Sequence, residues 1–167
     1  MHGQHSSPIG ADPDRVRERP TWLVSRAFAR SSGLLNEGFA ARGGGLRSYH
    51  YRLLAALEQW GPASQAALGR ATGIDRSDVT AGIVELESRT LVARSVDPAN
   101  RRRKIVEITA AGRRRLAELD RLIDDIQERF LAPLSATEQR QFAKIMRKLT
   151  QPAAAEAHPF RARQEQS

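Results

Sequence analysis

Apolar residues recur at every third or fourth position through most of the chain, which is the spacing of amphipathic helices. A first helix is predicted from a cap at Thr21 to the Gly43-Gly44-Gly45 linker, and a second from Arg47 or Ser48 to Gly61-Pro62. Their apolar positions are Trp22, Leu23, Val24, Ala27, Phe28, Leu34, Leu35 and Phe39, followed by Tyr49, Leu53, Leu57 and Trp60. The amino-terminal part of the chain is therefore predicted to be helical.

The segment 64–88 has the pattern of two short helices joined by a tight turn at Gly73. Ser64 is placed to cap the first helix, and Asp75 and Asp78 have the spacing of an acidic capping box for the second. The second helix has an apolar face with Val79, Ile83 and Leu86, and a small, polar face with Arg76, Ser77, Thr80, Ala81, Val84 and Ser88. This arrangement predicts a helix-turn-helix, whose second helix fits a DNA major groove.

Two short strands are predicted next, at about 91–96 and 104–109, because apolar and polar residues alternate there. The turn between them contains Asp97-Pro98 and Asn100, which are common turn residues. Four consecutive cations, Arg101, Arg102, Arg103 and Lys104, lie at the tip of this predicted hairpin. A basic hairpin directly after a helix-turn-helix predicts a winged helix-turn-helix that binds double-stranded DNA.

Two further helices complete the ordered body, which we place at about 20–150. Thr109 is predicted to cap a helix over 110–131, and Ser135 and Glu138 form a capping box for a last helix that Pro152 closes. The apolar positions predicted to face inward are Leu116, Leu119, Leu122 or Ile123, Ile126 and Phe130, then Phe142, Ile145, Met146 and Leu149. Residues 1–19 and 151–167 are polar and are predicted to be disordered tails.

Composition narrows the classes of partner. Lys and Arg number 27 against 19 Asp and Glu, a formal net charge of +8, which favours a polyanionic partner. The chain has no Cys, which excludes a secreted disulfide scaffold, a thiolate metal site and a cysteine redox switch. No apolar run is long enough for a membrane span, and residues 1–14 lack the apolar core of a signal peptide, so a soluble cytoplasmic protein is expected. No nucleophile or metal-ligand motif occurs, so we expect neither an enzyme nor a cofactor.

The wing segment L-V-A-R-S-V-D-P-A-N-R-R-R-K-I-V-E-I-T-A-A-G-R resembles that of the MarR family of bacterial transcription regulators, as does the recognition-helix segment I-D-R-S-D-V-T. The resemblance covers roughly Thr21 to Leu149. It implies a mainly α-helical fold with a small β-wing and about six helices. In that fold, the helices at 20–46 and 110–150 form a dimerisation domain, and 47–109 forms the DNA-binding lobe.

The same resemblance implies a homodimer that binds a pseudo-palindromic DNA operator, and we favour a repressor over an activator. A small phenolic or other aromatic effector would release it. The residues predicted to contact DNA are Ser64, Gln65, Arg76, Ser77, Thr80, Ala81, Asn100, Arg101, Arg102 and Arg103. The residues proposed for an effector pocket are Trp22, Phe28, His50 and Tyr51.

The chemistry of these side chains fits the roles, and each has a simpler alternative. Arg76 can donate two hydrogen bonds to a guanine, or it can be a solvated residue of the first helical turn. Ser64 and Gln65 can bind a phosphate at a helix N-terminus, or Ser64 can be a plain cap. A wing arginine can enter a narrow minor groove. The aromatic residues can instead belong to the core or a dimer interface, and His50 can simply be exposed.

This chain departs from the family pattern at three positions. Asn100 replaces an Asp that often orients a wing arginine, so here the wing is held by Asp97 or by a neutral hydrogen bond. Ala81 replaces an Arg, so a base contact is missing or moved to Arg76. Thr90 replaces the Gly that usually ends the recognition helix, and since a β-branched residue is costly in a left-handed conformation, we expect another route out of that helix.

Two functions of other classes remain as alternatives. One is a sequence-independent architectural or RNA-binding protein, whose affinity would come almost wholly from phosphate contacts. The other is an enzyme that acts on a small molecule at the helical interface.

Overall fold

The computed structural model describes residues 14–98 and 100–151, apart from the side chains of Asp14, Arg102 and Arg103. Its elements are α1 (Asp14–Arg17), α2 (Pro20–Arg42), α3 (Ser48–Trp60), α4 (Gln65–Thr72), α5 (Arg76–Ser88), β1 (Val92–Asp97), β2 (Asn100–Ile108), α6 (Ala110–Leu131) and α7 (Ala136–Thr150). Helices dominate, and β1 and β2 form an antiparallel wing. The predicted fold class is confirmed.

The core of the lobe lies between α3, α4, α5 and the wing. Its fully buried side chains include Leu53, Leu54, Leu57, Leu68, Val79, Ile83, Leu86 and Val106. Each such side chain contributes about 1.5–3 kcal/mol relative to leaving it exposed. Ala63 also exchanges two backbone hydrogen bonds with Val106, of 3.0 and 2.8 Å, which attach the α3–α4 connection to the wing. The lobe therefore holds α5 and the wing as one packed unit.

The long helices α2 and α6 pack against each other, and a glycine permits their close approach. A Cβ on Gly38 would lie 2.6 Å from Cδ1 of Ile126, so a larger side chain at this position would require a shift. On α6, Leu116, Leu119 and Leu122 are buried together with Ile126, which confirms the predicted seam. This packing connects the helix that leads into the lobe with the helix that leaves it.

Several predicted helix caps are confirmed. Ser64 accepts a hydrogen bond from the Ala67 N–H at 3.3 Å, and Thr109 accepts one from the Gly112 N–H at 3.0 Å. At α7, Ser135 and Glu138 form both hydrogen bonds of the predicted capping box. These caps depend on residues three apart in sequence, which is why the pattern reveals them.

Two predicted caps are wrong. Helix α2 begins at Pro20 rather than after Thr21, because a proline at the first position already has the helical φ and lacks an N–H that would be unpaired there. Asp75 does stand at the N-cap of α5, but its side chain makes no capping hydrogen bond, so the acidic capping box with Asp78 does not form.

The predicted amino-terminal tail contains a short helix, α1, so the tail does not extend to residue 19. A hydrogen bond from the Arg19 N–H to the Val16 oxygen, at 2.9 Å, closes this turn, and Pro20 then begins the next helix. A single turn needs only such a local bond, which hydrophobic spacing does not reveal. Residues 1–13 and 152–167, including Pro152, lie outside the described residues.

The second strand of the wing begins at Asn100 and not at about 104. The register passes from the Val96–Lys104 pair directly to the Asp97–Asn100 pair, so residues 101–103 form a bulge on β2. Pairing of Asp97 with Asn100 closes the hairpin early and leaves the arginines as the extra residues. The predicted position of the arginines at the end of the wing is retained, within a strand rather than a turn.

The apolar face of α7 was predicted to point inward, and within the described part of one chain this is wrong. Phe142 is half-buried and packs edge-on against Phe130, with ring centroids 6.2 Å apart. Ile145 and Leu149, in contrast, are 55% and 68% exposed. The described part of one chain offers this face too little apolar surface to pack against.

Thr90 adopts the left-handed conformation that we expected the chain to avoid, with φ of +58°. The Thr90 N–H donates to the Glu87 oxygen and the Leu91 N–H donates to the Leu86 oxygen, both at 2.9 Å, which is the Schellman pattern of a helix end. The Thr90 carbonyl accepts a hydrogen bond from the Thr109 hydroxyl at 2.7 Å. These bonds hold the residue in a conformation that costs a non-glycine residue about 1–2 kcal/mol.

Thr90→Gly is therefore expected to stabilise the protein by about 0.5–1 kcal/mol, after the entropic cost of a glycine in the unfolded chain is subtracted. The measurement is thermal unfolding, with a rise of roughly 1–4 °C in Tm. Thr90→Ala is the matched control, because it removes the hydroxyl but keeps the Cβ, and it should give no stabilisation. Equal Tm values for the glycine variant and the wild type would contradict the account.

Candidate nucleic-acid interface

A cleft of about 620 Å³ runs between the start of α4, the exposed face of α5 and the wing. We name it the cationic cleft, and its lining residues are Ser64, Gln65, Ala66, Arg76, Val79, Thr80, Arg94, Lys104 and Val106. The structure thus brings together four of the residues predicted to contact DNA, from two successive helices. Three cations from three different elements point to an anionic partner.

The recognition helix presents the predicted residues on one accessible face. Arg76, Ser77, Thr80 and Ala81 are all exposed, and Arg76 and Thr80 line the cationic cleft. The Thr80 hydroxyl donates to the Arg76 carbonyl at 2.9 Å. Within residues 14–98 and 100–151, the Arg76 guanidinium has neither a hydrogen bond nor an ion pair. It is therefore available to an external acceptor.

The start of α4 is a helix N-terminus that opens into the cationic cleft. The Ser64 hydroxyl uses one acceptor position for the Ala67 N–H, as a plain cap does. The earlier N–H groups of a helix have no partner within the helix, and they suit a phosphate oxygen. Capping and phosphate binding are therefore compatible at Ser64 and Gln65.

Arg94 on β1 lines the cationic cleft, and its role was not predicted from the sequence. Both its Nε and its Nη2 donate to Oε2 of Glu87 on α5, the former at 2.8 Å. These hydrogen bonds lower the pKa of Glu87 below its ordinary value and raise the pKa of Arg94. Both groups stay charged at neutral pH, and the pair ties the wing to the recognition helix.

The Arg94–Glu87 ion pair could not be predicted from local sequence patterns, because its two residues lie on different elements and come together only when β1 packs against α5. The outward position of Arg94 on an alternating strand was the one available signal. Lys104 was recognised as part of the basic run, but its place inside the cationic cleft depends on its pairing with Val96.

The wing residues Asn100 and Arg101 are exposed, and the side chains of Arg102 and Arg103 lie outside the described part of the chain. Asn100 pairs with Asp97 across the hairpin, at the position where the family often has an aspartate. The Arg94–Glu87 pair adds a connection of the wing that neither of the two expected arrangements included.

The residues proposed for an effector pocket differ in their surroundings. Phe28 is 71% exposed on α2, whereas Tyr51 on α3 donates to Oδ1 of Asp120 on α6 at 3.0 Å. Burial, then this hydrogen bond, raises the pKa of Tyr51. The buried Nε1 of Trp22 has no hydrogen-bond partner among the described residues.

His50 is fully buried, so the expectation that it could simply be exposed is wrong. Its Nδ1 accepts a hydrogen bond from the Arg47 N–H at 2.9 Å, which places the proton of the neutral ring on Nε2. Nε2 lies 3.1 Å from Oε2 of Glu85, although its N–H is not directed well enough for a hydrogen bond. Burial lowers the pKa of His50, and the Glu85 carboxylate offsets this only in part. His50 supports the start of α3 as a neutral side chain.

A second depression, which we name the apolar groove, has a volume of about 390 Å³ and lies between α2, α6 and α7. It is lined by Leu23, Val24, Ala27, Phe28, Ser31, Phe130, Phe142 and Met146. The exposed Ile145 and Leu149 lie on α7, the helix that also carries the lining residues Phe142 and Met146, and they add to the exposed apolar surface of that helix. Surfaces of this kind mark protein or ligand contacts.

The described residues form neither a cluster of three metal ligands nor a membrane span. Across 14–98 and 100–151, no three His, Cys, Asp or Glu side chains converge as metal ligands do. None of the helices in this part of the chain combines the length and apolarity needed to cross a bilayer.

Comparisons with known proteins agree with the fold and with a role in transcription regulation. Residues 46–104 match the model of the MarR family. The HTH-type transcriptional repressor NicR of Pseudomonas putida is 31% identical over 144 residues, which cover 86% of this chain and 90% of NicR. A transcriptional regulator from Pseudomonas aeruginosa superposes with a TM-score of 0.71 at 31% identity, covering 81% of this chain and 99% of that chain. Bordetella bronchiseptica BpsR, whose DNA binding is regulated by 6-hydroxynicotinic acid, gives a TM-score of 0.69 at 27% identity over 78% of this chain and 98% of BpsR.

Proposed function

The chain belongs to the MarR family of dimeric DNA-binding transcription regulators, and on that premise we propose that it represses a pseudo-palindromic operator through its cationic cleft. The start of α4 binds a phosphate, α5 enters the major groove, and the bulge at 101–103 reaches the adjacent minor groove. Repression follows from competition with RNA polymerase at the promoter. The protein acts in the cytoplasm, and its role is binding rather than catalysis.

The proposal rests mainly on the position of Arg76 and on its charge, which is unpaired among the described residues. A cation at the N-terminus of a helix is unfavourable for the helix dipole, and the Arg76 guanidinium makes no ion pair with an acid of the described residues. Its guanidinium lines the cleft beside Thr80, in the half of the helix that meets base edges in helix-turn-helix proteins. A guanidinium can donate two hydrogen bonds to one guanine, which discriminates against other bases by about 1–3 kcal/mol. Because Ala81 has no polar group, Arg76 is the cation of this face that reads sequence.

Two parts of the chain are assigned to dimerisation and to DNA binding by the surfaces that they carry. We assign helices within 20–46 and 110–150 to dimerisation, because they carry the apolar groove and the exposed face of α7. We assign 47–109 to DNA binding, because it contains the whole cationic cleft. A twofold arrangement of two such lobes requires an inverted repeat in the DNA.

To test this proposal, duplexes bound by the purified protein are selected from a random pool at near-physiological salt. The selection is carried out separately with the wild type, Arg76→Ala and Arg101→Ala. The wild type should select one inverted repeat. Arg76→Ala should relax one position in each half-site and weaken binding to the wild-type motif by about 1–3 kcal/mol. Arg101→Ala, which also removes one cation, should keep the motif but lower the salt slope by about one for each phosphate that Arg101 neutralises.

Selection of the same motif by Arg76→Ala would contradict the role of Arg76. Retention of all duplexes alike by the wild type, with affinity collapsing as salt rises, would favour the architectural alternative instead.

An aromatic acid is the effector that we propose for release from the operator. The buried Trp22 Nε1 supports this proposal, because an N–H without a partner among the described residues can donate to a carboxylate or hydroxyl oxygen. Phe28 and Tyr51 supply aromatic surface on α2 and α3, whereas the buried, neutral His50 acts through the position of α3. The relative BpsR supports the ligand class, since 6-hydroxynicotinic acid regulates its DNA binding.

Operator affinity measured with and without 6-hydroxynicotinic acid and related hydroxylated aromatic acids tests this. At least one compound should weaken operator binding by roughly 5–150-fold, the usual range of allosteric coupling. Trp22→Phe should reduce that ratio while the affinity of the unliganded protein for its operator stays the same. If no compound of the panel changes operator affinity, the chain is a constitutive regulator.

A further inference from the structure

The glycine loop that joins α2 to α3, Gly43–Gly45, is held by two arginines from elsewhere in the chain. Nη2 of Arg115 on α6 donates to the Gly43 carbonyl at 2.6 Å. Nη1 of Arg89, at the end of α5, donates to the Gly44 carbonyl, also at 2.6 Å. The sequence predicts a plain linker here, whereas in the structure the loop is in contact with α6 and with the end of α5.

The conformation of the loop and the approach of the arginines depend on each other. Gly44 and Gly45 have φ of +58° and +84°, a region that side chains rarely adopt. A Cβ on Gly44 would lie 2.8 Å from Nη2 of Arg115, and one on Gly45 would lie 2.8 Å from Nη2 of Arg89. The glycines therefore allow each guanidinium to reach the backbone carbonyls.

Each arginine is also held by an acid on its own helix. Arg89 Nη2 lies 2.7 Å from Oε1 of Glu85, and Arg115 Nη1 lies 2.6 Å from Oε2 of Glu118. The other oxygen of Glu85 lies 3.1 Å from Nε2 of the buried His50. Hydrogen bonds with a charged donor are roughly twice as strong as neutral ones, and here the geometry is fixed at both ends of each guanidinium.

These contacts lie between the DNA-binding lobe and the proposed dimerisation helices. Arg89 is the C-cap residue of the recognition helix, α5, and the loop is the point where the proposed dimerisation helix α2 continues into the lobe. We infer that Arg89, Arg115 and Gly43–Gly45, together named the hinge clamp, fix the angle of the lobe on the dimerisation helices and so set the spacing of half-sites that the dimer accepts. This inference rests on the proposed function, and it makes Arg89 and Arg115 positioning residues that touch no DNA.

The experiment measures affinity against spacer length with the full chain. The duplexes carry the selected inverted repeat with its spacer unchanged, or longer or shorter by one or two base pairs, at fixed salt. The wild type should lose affinity about tenfold or more for a one-base-pair change, because each half-site then lies at the wrong distance and rotation. Arg89→Gln and Arg115→Gln should each flatten this profile at least about threefold, since a freer lobe samples more spacings. Affinity for a single half-site should not change.

Arg129→Gln is the matched control. It also removes a guanidinium between α6 and α2, from an ion pair with Glu37 at 3.1 Å, but it leaves the loop untouched, so its spacing profile should equal that of the wild type. If Arg89→Gln does not unfold cooperatively, and so does not fold correctly, Arg89→Lys and Arg115→Gln are compared with the wild type instead. Wild-type profiles in both arginine variants would overturn the inference while leaving the proposed function intact. A wild type that selects no inverted repeat would overturn the proposed function itself.

Discussion

Within residues 14–98 and 100–151, one chain leaves the apolar surface of its long terminal helices exposed, and the rest of the architecture depends on this. The apolar groove and the outer face of α7 remain open, with Phe28 71% and Leu149 68% exposed. Burial of apolar surface contributes about 25 cal/mol per Å², so a second chain that covers this region is strongly favoured. Family members act as dimers, and in the dimer that we propose, this contact places two recognition helices on one side of a twofold assembly, so that an inverted repeat is the matching DNA.

The cations of the chain divide into two groups by whether they have an acidic partner. Arg89, Arg94 and Arg115 each contact a carboxylate and hold elements together. Arg76 and Lys104 line the cationic cleft without an ion pair in the described part of the chain. The formal net charge of +8 does not separate these two groups, because it counts paired and unpaired cations alike.

Much of the fold could be predicted because its signals are local. The caps at Ser64, Thr109 and Ser135, and the seam of α6, depend on residues within two helical turns of each other. The left-handed Thr90 could not be predicted, because its cost is outweighed by hydrogen bonds to residues as distant as Thr109. The exposure of the α7 face could not be predicted either. An apolar stripe on a helix shows that the face is buried, but it does not show whether the same chain or a second chain covers it.

In the candidate site, too, local features could be predicted and contacts between distant residues could not. Ser64, Gln65, Arg76 and Thr80 were identified from helix position alone, and the cleft brings them together. Arg94 was missed because its partner Glu87 is close only in the folded chain. The glycine loop was interpreted as a linker, since nothing in the sequence indicates that two guanidinium groups approach it.

The central claim is that a dimer built on the open apolar surface is the DNA-binding species, and sedimentation equilibrium of the wild type and Phe28→Glu tests it most directly. Since Phe28 is mostly exposed in one chain, its replacement leaves the fold of the chain intact. The account predicts a wild-type dimer at micromolar concentration, and a helical, monomeric variant that no longer binds the inverted repeat. A variant that stays dimeric, or a wild type that is monomeric while it binds the repeat, would contradict the account.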